Sequence, residues 1–137
     1  MKQTNPRDWL FFAESDLKIA KEAMKESIFH IACFHSQQAI EKCLKAVVSL
    51  QRKLIPRTHK LSDLWQKVGK PNEIWPNIDI SSLYIIDRYY SSSRYPDVLP
   101  GSLPEGLPNA KDAREAQSIA QEIYDNLVKY IKKAANS

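Results

Sequence analysis

IFHIACFHSQQAIEKCLKAVVSLQ, residues 28–51, decides the fold. The stretch contains neither proline nor glycine, and Phe29, Ala32, Cys33, Ile40, Cys43, Leu44 and Val47 recur at intervals of three and four. At about 100° of rotation per residue, that spacing lays one apolar stripe along a central helix. Gln38, Glu41, Lys42 and Lys45 project together from the opposite side, where Glu41 and Lys45 form a favourable pair one turn apart. Ile31 and Phe34 occupy the same sector one turn earlier. The spacing therefore predicts an N-terminal half that is apolar nearly all round and a C-terminal half with one polar side in solvent.

Upstream, Asn5-Pro6-Arg7-Asp8 reads as a helix start, with Asn5 as cap, proline in the first turn and a carboxylate beside the exposed amides. This helix is expected to run to about Ser27, with Trp9, Phe12, Ala13, Leu17, Ala20 and Met24 facing inward. Asp16 falls on the border of that face. It is either a boundary residue bonded to water or the partner of Lys42 or Lys45.

Downstream, residues 52–60 form a basic connection that Pro56 keeps from continuing as helix. Thr58 or Ser62 starts a short helix through Val68. Gly69, Pro71 and Pro76 then break the chain around Trp75, whose indole is expected to cover one end of the core. Asp79 or Ser81 opens a third long helix, with Leu83, Ile86 and Tyr90 inward, ending near residues 91–93. Residues 94–108 place Pro96, Pro100, Pro104 and Pro108 four apart, each of the last three preceded by a leucine, which excludes helix and marks an extended loop. Asn109 caps the last helix together with Asp112, and Ala113, Ala116, Ala120, Ile123, Leu127, Tyr130 and Ile131 form its core face.

No stretch alternates with the period of a strand. Four amphipathic segments with short connections imply an all-α, up-down four-helix bundle carrying one additional short helix, in a single domain over residues 1–137. A length of 137 residues with 43% hydrophobic content suffices for one core without disulfides or structural metal. Cys33 and Cys43 lie ten residues, or about 15 Å, apart on one helix and cannot bridge. Their buried positions suit small hydrophobes. No apolar run approaches the roughly 20 residues of a membrane span, and Arg7, Asp8 and Glu14 bracket Trp9–Ala13 too closely for a signal peptide. The expectation is a cytoplasmic protein.

The chemical inventory is short. Three glycines form no phosphate-cradling loop, no nucleophile elbow is present, and the cysteine spacing fits no zinc motif, so neither cofactor nor metal is expected. His30 and His35 read as structural or exposed. A charge of +4 and a pI near 9.0 permit an acidic partner without requiring one. What remains is Gln38, Glu41, Lys42 and Lys45 on one sector, His59 on the basic connection, and Arg94-Tyr95-Pro96-Asp97 after the third helix.

On those residues the chain resembles the HEPN domain in its small stand-alone form. The matching pieces are Asp16-Leu17 with Ala20, then Ala32 and Phe34 followed by residues 36–46 (SQQAIEKCLKA), then Thr58-His59-Lys60-Leu61 with Leu64, then Tyr90 and Arg94-Tyr95-Pro96. The resemblance implies a helical bundle that forms homodimers and works with a nucleotidyltransferase, commonly as a toxin–antitoxin pair. On the residues themselves, Lys42, Lys45, His59 and Arg94 are expected to converge with Gln38 and Glu41 and offer positive charge to the phosphate of a nucleotide or RNA, with Tyr95 stacking on a base. Active members resemble metal-independent ribonucleases with an arginine and, a few residues later, a histidine. Arg94 fits the arginine, but residues 98–101 (VLPG) hold no histidine. Arg52 and His59 match formally on the wrong connection, which leaves His59 as catalytic only if it folds beside Arg94. The leading expectation is a nucleotide- or RNA-binding module. The alternatives are a ribonuclease toxin and a non-catalytic dimeric scaffold in which the same polar residues tie the helices together.

Overall fold

A computed structural model describes residues 4–92 and 106–136. The central helix, α2 (Phe29–Leu50), touches every other helix among the described residues. Around it stand α1 (Pro6–Lys25), the short α3 (Leu61–Val68), α4 (Ile80–Asp87), α5 (Tyr89–Ser92) and α6 (Ala110–Ala135), with one 3₁₀ turn at Pro71–Glu73. No strand occurs among the described residues, and the all-α bundle with an extra short helix is the architecture observed.

Local chemistry sets most boundaries. Asn5 accepts from the amide of Arg7 at 2.9 Å to start α1, and Asn109 and Asp112 form a reciprocal capping box at α6. Both α1 and α2 end in the same way: Ser27 and Arg52 adopt φ of 60° and 57°, and the following amides of Ile28 and Lys53 reach back to the carbonyls of Ala23 and Val48. This is the left-handed helix stop usually made by glycine. Trp75 is fully buried, donates from Nε1 to the Ile123 carbonyl at 2.9 Å, and stacks on Trp65.

Several expectations change. Burial along α2 runs opposite to the sequence reading: residues 43–48 are all buried, as are Glu41 and Lys45, whereas Ile31 and Phe34 are only half-buried. The cause is tertiary, because α1 and the 52–60 connection both lie across the polar sector and bring partners to its charges. Phe12 is 52% exposed instead of facing the core. Tyr130, placed on the core face of α6, is also exposed.

The third long helix is interrupted at Arg88, where a tight turn (amide to the Ile85 carbonyl, 3.2 Å) separates α4 from α5. Tyr89 is therefore buried, and Tyr90 sits at the edge. The short helix starts at Leu61, and neither Thr58 nor Ser62 caps it. That role falls to Asp87 of α4, which accepts from the amides of Leu61 (2.7 Å) and Ser62 (3.5 Å). Of the proline-rich loop, residues 94–105 lie outside the described residues.

Candidate functional site

Glu41 is the hub of the polar sector. It is 3% exposed, and a carboxylate at that depth requires compensation. Lys45, one turn on, donates to Oε2 at 2.9 Å. Gln38 donates to Oε1 at 3.4 Å, and Nδ1 of His59 lies 3.2 Å from both oxygens. Gln37 donates to the His59 carbonyl at 2.9 Å and accepts from Gln38 at 2.8 Å, which pins the basic connection against α2. The His59 ring stacks on Tyr90 with centroids 4.4 Å apart and planes 14° from parallel. Lys45 also lies 5.5 Å from the Trp9 ring centroid, within cation–π reach. Gln38, Glu41, Lys45 and His59 are thus brought together.

Lys42 serves a second carboxylate. Its ammonium donates to Oδ2 of Asp16, whose Oδ1 lies 2.8 Å from Nδ1 of His35. Asp16 is 5% exposed, so the partnered reading of that residue holds, with Lys42 rather than Lys45. Each buried acid therefore holds one lysine and one histidine nitrogen, and with neutral imidazoles each cluster carries no net charge. On the same connection as His59, Arg57 and Lys60 are exposed. Arg94 and Tyr95 lie outside the described residues.

Sequence reasoning gave no site role to three participants, although Gln37 and Tyr90 fall among the pieces that carry the resemblance. Gln37 was visible only as the first of two adjacent glutamines. Tyr90 was assigned to the core because its spacing matched Leu83 and Ile86. His35 showed no sequence signal linking it to Asp16 on another helix. Burial holds the Cys33 thiol up at about 12 and pushes that of Cys43 higher, so neither offers a thiolate near neutrality. Among the described residues, no group of three or more His, Cys, Asp or Glu is placed to hold a metal ion, and no helix is long and apolar enough to cross a membrane.

The HEPN domain profile matches residues 6–131. The chain belongs to the HEPN domain family. It is 29% identical over 129 residues to the proposed toxin MJ1304 of Methanocaldococcus jannaschii, covering 88% of this chain and 84% of that protein. Among solved structures it is similar to TT1696 from Thermus thermophilus, with 28% identity, a TM-score of 0.71 and coverage of 90% and 96% of the two chains. It is also similar to ST0689, an archaeal HEPN homologue, with 31% identity, a TM-score of 0.70 and coverage of 93% and 98%. Of the residues that carry the resemblance in this HEPN chain, Gln37, Gln38, Glu41, Lys45, His59 and Tyr90 meet in one cluster although they come from α2, the 52–60 connection and α5.

Proposed function

We propose that this HEPN chain is a toxin-like module that binds RNA or a nucleotide at the edge formed by His59 and Tyr90, and that it works as a homodimer with a nucleotidyltransferase partner. The observation that carries the reading is the His59–Tyr90 stack. Two parallel rings at the rim of the bundle present a π-face for a base, beside the exposed cations Arg57 and Lys60 for phosphate. Arg94 and Tyr95, which follow two residues after α5 in the sequence, are proposed to add a guanidinium and a further ring. The resemblance to a proposed toxin supports the same reading.

A second reading has its own observation in favour. Lys42 and Lys45 are each bound to a buried carboxylate, as they would be in a network whose work is to tie α1, α2 and the basic connection together. Fluorescence anisotropy with a labelled single-stranded RNA, and thermal shift with millimolar ATP, separate the two. The binding reading expects saturable, salt-sensitive binding weakened by Tyr90→Ala and Arg94→Ala. If neither ligand binds, the scaffold reading stands. Co-purification of the adjacent gene product tests the partner.

A further inference from the structure

The end of the bundle where α2 and α6 finish side by side is not sealed. Val47, Leu50, Ile131 and Ala134 wall a cleft of about 400 Å³ between the two helices, and Leu50 remains 41% exposed. Tyr130 lines this cleft and also a second one, of about 490 Å³, between α6 and residues 73–77, so the two meet at that residue. Lys129, Lys133, Asn77 and Asn126 line the second. An apolar slot and a cationic slot thus share one phenol, which is 40% exposed. The positive charge there is uncommitted. Lys42 and Lys45 are taken up by Asp16 and Glu41, whereas the ammonium groups of Lys129 and Lys133 make no hydrogen bond or ion pair among the described residues. The helix dipole accounts for Lys133 in the last turn of α6 but not for Lys129, which stands more than one turn before the end. Glu73 lines the same cleft and offsets one of the two cations, so one positive charge stays in excess.

We propose that the joined clefts bind a small anionic amphiphile, an unbranched alkyl chain ending in a carboxylate. The chain lies between α2 and α6, and the head meets Lys129 and Lys133. A mostly apolar cleft of a few hundred Å³ with a few convergent polar groups has the anatomy of a small-molecule site. A docked helix needs anchors over two turns or more, and the α2 wall, residues 47–51, is little over one turn long. A polynucleotide would gain nothing from a wall of Leu50, Ile131 and Ala134. The carboxylate takes charge-assisted bonds from the lysines, with the amides of Asn77 and Asn126 as neutral donors. Tyr130, apolar along its ring and polar at its tip, suits the boundary between chain and head. None of these residues belongs to the His59–Tyr90 edge, so this site stands or falls independently of the function proposed above.

Isothermal titration calorimetry of the full chain with octanoate, decanoate and dodecanoate, each below its micelle concentration, reads the site. One molecule is expected to bind per chain, and each added methylene should tighten binding about threefold to fourfold until the cleft is filled. Decyltrimethylammonium, with the same chain and the opposite charge, should bind at least about tenfold more weakly than decanoate. Replacing both lysines, Lys129→Ala with Lys133→Ala, should weaken decanoate roughly tenfold and leave decan-1-ol unchanged. Ala135→Trp, at an exposed position whose new ring fills the apolar cleft, should abolish binding of both, and an unchanged circular dichroism spectrum confirms that each variant folds. Absence of saturable binding by all three carboxylates overturns the proposal. So does an affinity indifferent to chain length or head charge, or binding unimpaired in both variants. Binding of an acidic peptide or of anionic vesicles in place of the free carboxylates overturns it as well.

Discussion

Asp87, at the end of α4, accepts the Leu61 amide at 2.7 Å and so caps a helix that begins 26 residues earlier. Lys60, at the cap position itself, has no side-chain hydrogen bond to the helix, so the first turn of α3 depends on a residue from another element. Asp87→Ala is expected to cost about 1–2 kcal/mol and to loosen residues 57–62, including His59. Urea denaturation measures the first effect, and amide hydrogen exchange at Leu61 and Ser62 the second.

The same residue makes a pH prediction. Burial raises the Asp87 carboxyl above its ordinary value of 3.8, outweighing the two amide bonds that lower it. A raised acid binds its proton more tightly in the folded state, so its contribution to stability is full below 3.8 and fades as pH climbs through the raised value. Asp87→Asn removes that titration. The stability of the variant minus that of the wild-type protein should therefore rise with pH across the window just above 3.8, measured by denaturant midpoints at a series of pH values.

Asp16 and Lys42 join α1 to α2 with side chains 8% and 23% exposed. Removing one charge leaves the other poorly solvated, so Lys42→Met is expected to cost roughly 3 kcal/mol, near the low end for buried pairs. The double replacement Asp16→Leu with Lys42→Met should cost less than the two single changes summed. A double-mutant cycle by urea melts reads the coupling, and additive losses would show that the pair does not act as a unit.

Ser27 holds a φ of 60° at the α1–α2 junction and is exposed, so its side chain gains little for the strain. Ser27→Gly should stabilise the protein by about 0.5–1 kcal/mol, with a higher melting temperature and an unchanged circular dichroism spectrum.

Cys33 and Cys43 are both fully buried, and burial raises their thiols to about 12 and beyond. The native protein at pH 8 should react negligibly with a thiol-specific reagent over minutes, and two thiols should appear once guanidinium unfolds it. Fast labelling of either in the native state would contradict the packing around α2.

The elements were legible in the chain because their signals are local. The apolar spacing of residues 28–51, the Asn5 cap and the Asn109–Asp112 box act within a turn or two, and each survives without knowledge of the rest of the molecule. The same locality explains the errors. A helical wheel places Glu41 and Lys45 opposite the apolar stripe but holds nothing about Trp9 or His59, which arrive from other segments and bury that side. Tyr89 and Tyr90 exchanged roles because one tight turn at Arg88 shifted the phase by a residue.

By itself, then, the amino-acid order determined that this protein is a helical bundle and which helix is central, since periodicity and caps are properties of neighbours in the chain, and its motifs carried the resemblance to the HEPN family. Only the tertiary structure decided that Asp16 pairs with Lys42, that Asp87 caps α3, and that Glu41 meets His59. Those contacts join residues 18 to 26 positions apart, and their existence depends on how the helices pack rather than on any spacing along them.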